Sequence, residues 1–206
     1  MYNERVIMKL FYTPTSPYAR KVRVMIYELE LDEEIDTEIV FPLEPDCALT
    51  ASNPLGKVPT LALIDGSTLF DSRVICAYLD TLGDTSTLLP RIGTSRWQVE
   101  RAQSLGDGVM DAAYNMVMET KRPDADPSEF WMKRWEHAIR RALAEIAADI
   151  DTSSTEFHLG HLTYACALGY LDFRLPQLAW QTHHPELANW WKKTSARPSF
   201  IKTQPL

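Results

Sequence analysis

The sequence predicts a two-part protein: a small α+β domain of order β-α-β then β-β-α, followed by an all-helical domain. Three observations carry this. Residues 6–41 read as strand, helix, strand; residues 52–72 hold two short apolar runs split by a turn; and beyond Ser95 strand signals nearly vanish while helix-spaced apolar positions continue.

Val6 to Thr13, "VIMKLFYT", reads as a buried strand. Ser16 then occupies an N-cap position with Pro17 at the first helical position, an ordinary helix start. Beyond them Tyr18, Val22, Met25, Ile26 and Leu29 recur on one helix face, with Arg20, Lys21, Arg23, Glu28 and Glu30 largely off it. "IDTEIVFP" offers a second strand carrying Ile35, Ile39, Val40 and Phe41, and a short helix or loop is expected near Cys47 to Ser52. The run Thr60 to Ile64, the Asp65-Gly66 turn and Leu69-Phe70 read as a hairpin. From Ser72 a helix is predicted by Val74, Ile75, Tyr78, Leu79 and Leu82, ending at Gly83.

"GDTSTLLPRIGTS" is rich in turn formers and reads as a linker, giving a first domain over 1–84, a linker over 85–94 and a helical domain over 95–206. Trp97 to Lys121 and Ser128 to Asp151 are long helical patterns. In the second, Trp131, Trp135, Ile139, Ala142, Ile146 and Ile150 form one apolar stripe. "HLTYACALGYLDF" is apolar nearly all round, as a central buried helix would be, and a last helix is expected over Pro185 to Ala196.

The 206 residues carry a formal net charge of −7, which disfavours nucleic acid and acidic membranes as partners. No run approaches the roughly 18 apolar residues of a membrane span, and Met1 to Lys9 lacks the apolar core of a secretory signal, so a cytoplasmic location is expected. Cys47, Cys76 and Cys166 are widely spaced with no Cys-x-x-Cys pair, so reduced, structural thiols are expected. Of the histidines, His158 and His161 stand three apart without the other ligands of a metal motif, and no metal site is expected.

Three points of the first domain line up: Ser16-Pro17-Tyr18 at the first strand-to-helix turn, Val58-Pro59 before the third strand, and Asp71-Ser72 opening the last helix. Their order resembles a thioredoxin-like fold. Where glutaredoxins carry Cys-Pro-Tyr-Cys, this chain has Ser16-Pro17-Tyr18-Ala19, so disulfide exchange by these residues is excluded for want of a thiolate. Read from its own segment, Ser16 is either a helix cap or a group doing chemistry.

With the helical domain behind them, "SPYARKVR", "NPLGKVP" and "FDSRVICAYL" resemble the glutathione S-transferase family, bacterial and Ser-type, over nearly the full chain. The resemblance implies glutathione as co-substrate, with Ser16 as the catalytic donor to its sulfur. It implies a cis Val58-Pro59 bond presenting the Val58 backbone to the tripeptide, and Lys57 beside the glycyl carboxylate. Asp71 would accept from the γ-glutamyl ammonium, and Ser72 would meet the α-carboxylate. A small electrophile is expected between the domains against Tyr18, Asp107, Met110, Asp111, Tyr114 and Met118, positions whose spacing is equally that of a packed helix. A homodimer is implied as well. The alternative is a carrier or interaction protein that keeps the fold and binds glutathione or apolar ligands with little turnover. One departure stands out: the family's Ser/Thr-x-x-Asp box at the buried helix is replaced by His158 and His161, with Ser153 to Glu156 offering a substitute capping box upstream.

Overall fold

A computed structural model describes residues 7–44, 47–83, 88–123, 126–152, 154 and 156–205. The chain divides into two units, one formed by 1–88 with 202–206 and the other by 89–201.

The first unit has a thioredoxin-like architecture. Strand β1 (Met8–Tyr12) leads into α1 (Pro17–Glu28), which crosses over to β2 (Ile35–Ile39), parallel to β1. A 3-10 turn at Ala48–Ala51 precedes β3 (Thr60–Ala62), β4 (Thr68–Leu69) and α2 (Ser72–Asp80). The sheet order is β2-β1-β3-β4, with β3 antiparallel to both its neighbours. Strand β1 is central, and Leu10 on it is fully buried with Leu61, Val22, Met25, Ile75 and Leu79. Val6, expected to open β1, lies outside the described residues.

Both β2 and α1 form where the sequence places them, and tertiary packing sets their burial. Strand β2 buries only Ile35; Ile39 is 48% and Phe41 58% exposed, because the strand is an edge and Lys9 bridges across it to Glu38 at 3.1 Å. Helix α1, by contrast, buries Arg20 and Lys21 as well as its apolar face. The chain's last residues return to this unit: Arg23 Nη2 donates to the Lys202 carbonyl at 3.4 Å, the Lys202 ammonium lies 4.5 Å from the Tyr27 ring centroid, and Thr203 is fully buried.

The second unit is all-helical: α3 (Gly93–Thr120), α4 (Glu129–Asp149), α5 (Leu159–Arg174), α6 (Trp180–His183), α7 (Pro185–Ser195) and α8 (Pro198–Lys202), the last residue of which belongs to the first unit. Helix α3 opens at Gly93, inside the segment expected to be linker, and α6 and α8 are short helices that apolar periodicity does not reveal. Helix α5 is central, with every residue from Leu162 to Leu171 buried. The α4 stripe holds at Ile139, Ile146 and Ile150, but its first turns do not go inward: Trp131 is 46% exposed. There Phe130, Trp131 and Trp135 cover one another, at centroid separations of 5.3 and 5.6 Å. Among the described residues, no helix is long and apolar enough to cross a membrane.

Helix α5 begins on an unusual cap. His158 is its N-cap, and its Nδ1 accepts from the His161 backbone N–H at 3.3 Å, the role usually taken by a Ser, Thr or Asp oxygen. The two imidazoles stack with centroids 3.7 Å apart, and His161 Nδ1 meets the Glu156 carbonyl at 3.1 Å. The upstream capping box expected at Ser153 to Glu156 lies partly outside the described residues.

Candidate functional site

The register of the sheet brings three loops of the first unit together. Phe11 pairs with Thr60, so the end of β1 and the start of β3 share one edge, and Leu61 pairs with Leu69, so β4 finishes at the same edge. The segments joined there are Thr13 to Ser16 after β1, Val58-Pro59 before β3, and Phe70 to Ser72 after β4. Residues far apart in sequence thus converge because β3 runs antiparallel to both neighbours.

Ser16 is the N-cap of α1, with φ −76° and ψ 122°, and its Oγ accepts from Ala19 N–H at 3.2 Å. Capping uses an oxygen lone pair. A hydroxyl also carries one donatable hydrogen, so a capping Ser keeps a donor to offer at the positive end of its helix. The two readings of Ser16 are therefore compatible.

Val58-Pro59 is cis, and Pro59 is buried. Neither the Val58 N–H nor its C=O makes a hydrogen bond among the described residues, although Val58 is only half-buried. Such a donor and acceptor pair suits an extended peptide backbone. The loop is pinned by Asn53, a residue that motif reading passed over. Asn53 is buried, donates from Nδ2 to the Lys57 carbonyl at 2.9 Å and to Thr60 Oγ1 at 3.0 Å, and accepts at Oδ1 from Leu55 N–H at 3.0 Å. Its signal was in plain view as the Asn of Asn53-Pro54-Leu55-Gly56, a turn composition in which the side chain bonds the backbone two residues on. Lys57 itself is exposed.

Asp71 is the N-cap of α2, and its Oδ1 accepts from Arg73 N–H at 2.9 Å. The side chain is exposed, and the second carboxylate oxygen remains for another donor. Ser72, at the first helical position, is 3% exposed. The Phe70-Asp71 peptide bond is also cis.

The residues expected to line an acceptor pocket divide. Met110 is fully buried within the helical unit and is core, which withdraws it: on α3 its position faces the packed side, with Val109 and Ala113. Asp107 and Met118 are half-buried, Asp111 is exposed and Tyr114 is 39% exposed, so these four share an accessible side of α3. Tyr18, on α1 of the first unit, is half-buried.

The family described as Glutathione S-transferase, N-terminal domain, matches residues 15–82, the span that holds Ser16, Val58-Pro59 and Asp71-Ser72. The chain is 33% identical over 201 residues to the uncharacterized GST-like protein YibF of Escherichia coli K12, covering 96% of this chain and 98% of that protein. A glutathione transferase family member from Pseudomonas fluorescens Pf-5, solved with bound glutathione, is 40% identical with a TM-score of 0.91, over 97% of this chain and 99% of that one. A second structure from Pf-5, with bound S-(propanoic acid)-glutathione, is 39% identical with a TM-score of 0.87, over 97% of this chain and all of that one. On nearly full-length identity and matching fold, this chain belongs to the glutathione S-transferase family.

Proposed function

We propose that the protein is a glutathione-dependent transferase in which Ser16 stabilises the glutathione thiolate for attack on a small electrophile. The observation that carries this is the convergence of a donor-bearing Ser16, the Val58 backbone, unpaired among the described residues, and the Asp71-Ser72 helix start at one sheet edge. A relative solved with bound glutathione supports it.

Glutathione supplies a thiol nucleophile, which at a free pKa near ~8.5 is only a few per cent ionised at neutral pH. Ser16 donates its hydroxyl hydrogen toward the sulfur while Oγ keeps Ala19 N–H, and the α1 N-terminus adds positive potential. Lowering the thiol pKa by ~2 units needs about 2.7 kcal/mol of preferential stabilisation, the size of one charged hydrogen bond plus a helix-end contribution. Val58 offers its N–H and C=O to the peptide backbone. Asp71, through the oxygen not used by Arg73, accepts from the ammonium, and Ser72 with the α2 N-terminus holds the α-carboxylate. Lys57 neutralises the glycyl carboxylate.

Within the helical unit, the side of α3 bearing Asp107, Asp111, Tyr114 and Met118 is the one open to an acceptor. The protein acts in the cytoplasm as a homodimer, and light scattering at micromolar concentration giving only 23.5 kDa would exclude the dimer. Transfer, isomerisation and dehalogenation all draw on the same stabilised thiolate, and detoxification is the setting this reading implies.

The deciding experiment compares wild type with Ser16→Ala, each saturated with glutathione, by ultraviolet titration of the bound thiol. The donor reading expects the thiol pKa to rise in Ser16→Ala and conjugation at neutral pH to slow, recovering in part as pH rises. An unshifted titration in folded Ser16→Ala protein returns Ser16 to its capping role alone. Retention on immobilised glutathione without thiol consumption across an electrophile panel would select the carrier alternative.

A further inference from the structure

Within the helical unit, Ile139 and Leu143 stand one turn apart on the buried side of α4. After α5 the chain makes a 3-10 turn at Pro176–Leu178 and enters α6 at Trp180. Ile139, Leu143, Leu178 and Trp180 wall a cavity of about 70 Å³.

The walls are fixed rather than free to collapse into this space. Trp180 Nε1 donates to Asp172 on α5 at 2.7 Å, which sets the indole. Ala179 is left-handed, with φ 45° and ψ 40°, a conformation strained for a residue bearing a Cβ and kept only where its neighbours hold it. Those neighbours are Leu178 and Trp180, both buried while Ala179 is exposed. Among the wall side chains the single polar atom is Trp180 Nε1, already taken by Asp172. A buried water wants two to four polar partners, so the interior suits an apolar group instead.

Arg140, His183 and His184 line the opening. Arg140 is committed, since Glu136 Oε1 accepts from its Nε at 2.8 Å and lies 2.7 Å from its Nη2. The two imidazoles make no hydrogen bond among the described residues. Burial, with His183 beside it, holds His184 below the ordinary 6.5. A neutral imidazole offers one donor and one acceptor.

We propose that this cavity, made wholly of residues of the helical unit, is a ligand site for a small uncharged molecule, with a branched apolar body within the four walls and one hydroxyl or carbonyl at His183 and His184. Its volume is about half the roughly 150 Å³ that accommodates benzene, which limits the body to about four carbons. A charged ligand is disfavoured, because the cation at the opening is already paired and the walls cannot solvate an ion. The site does not depend on glutathione chemistry.

The test titrates isobutanol, with isobutyrate as its charged counterpart, into the full chain carrying carbon-13 methyl groups. Methyl resonances of Ile139, Leu143 and Leu178 should shift saturably, with a Kd on the order of a few millimolar for so few atoms. Nuclear Overhauser contacts should run from the isobutanol methyls to Trp180. Isobutyrate should bind at least about ten-fold more weakly. His183→Ala/His184→Ala should weaken isobutanol about five-fold, as loss of one hydrogen bond would give. Leu178→Phe fills the space and should abolish the shifts at Ile139 and Leu143. Shifts that never saturate, or Overhauser contacts only to residues elsewhere, overturn the site in the wild type itself, whether or not Leu178→Phe folds. Undiminished binding by folded Leu178→Phe overturns it as well. Isobutyrate binding as tightly as isobutanol, or unchanged affinity in His183→Ala/His184→Ala, overturns the ligand class.

Discussion

Acidification should destabilise this protein through the start of α5. His158 must keep Nδ1 unprotonated to accept from His161 N–H, and the two rings stack at 3.7 Å above a helix N-terminus, where positive charge is disfavoured. Burial lowers the pKa of both, and beside His158 that of His161 falls to about 4 from an ordinary 6.5; Glu156 and Asp149 oppose the shift only in part. The folded state therefore resists protonation while the unfolded chain accepts it near 6.5. The stabilising contribution is complete above that value and lost as pH falls through 6.5 toward 4. For His161, going from pH 7.5 to pH 5 removes at most about 2 kcal/mol, and because the ring is half-exposed we take about 1 kcal/mol. The perturbation is the double variant His158→Asn/His161→Gln, which keeps an N-cap acceptor and removes both imidazoles. Urea titrations at the two pH values, read by tryptophan fluorescence, should show the wild type losing about 1 kcal/mol more than the variant, or roughly 3 °C in a melting experiment. Equal pH sensitivity in both proteins would refute the reasoning, since His137, His183, His184 and the carboxylates are common to them.

Other outcomes follow from the site. Ser16→Cys restores Cys-Pro-Tyr at a helix N-terminus; its thiolate should attack oxidised glutathione, forming a mixed disulfide and releasing one glutathione thiolate, seen as an adduct by mass spectrometry. Asp71→Asn keeps the oxygen that caps Arg73 N–H but loses the charge, so glutathione affinity by calorimetry should weaken by about 1.5–3 kcal/mol while thermal stability changes little; unchanged affinity would remove Asp71 from the site. Asn53→Ala deprives the Lys57 carbonyl and the Leu55 amide of a partner and should cost roughly 1–3 kcal/mol in urea unfolding, with weaker glutathione binding from a loosened Val58 loop; an unaltered midpoint would mean the loop is held elsewhere.

The sequence by itself determined the order of the main elements and which loops are candidates for chemistry. Ser-Pro at 16–17 starts a helix through local capping, Asp65-Gly66 turns a hairpin, and Leu162 to Leu171 can only be a buried helix, because each of these depends on neighbours within a few residues. Tertiary structure decided what depends on distant partners. It chose which apolar stripe goes inward, leaving Trp131 and the end of β2 exposed, and it buried Arg20 and Lys21 although they stand off the apolar face of α1. It also took Met110 from pocket to core, and gave His158 a cap that its residue type does not announce. Periodicity records that a side has something packed on it, but not what or how far along, since burial is set by elements whose place in the chain is remote. Only the sheet register, which aligns the end of β1 with the starts of β3 and α2, turns three weak motifs into one site.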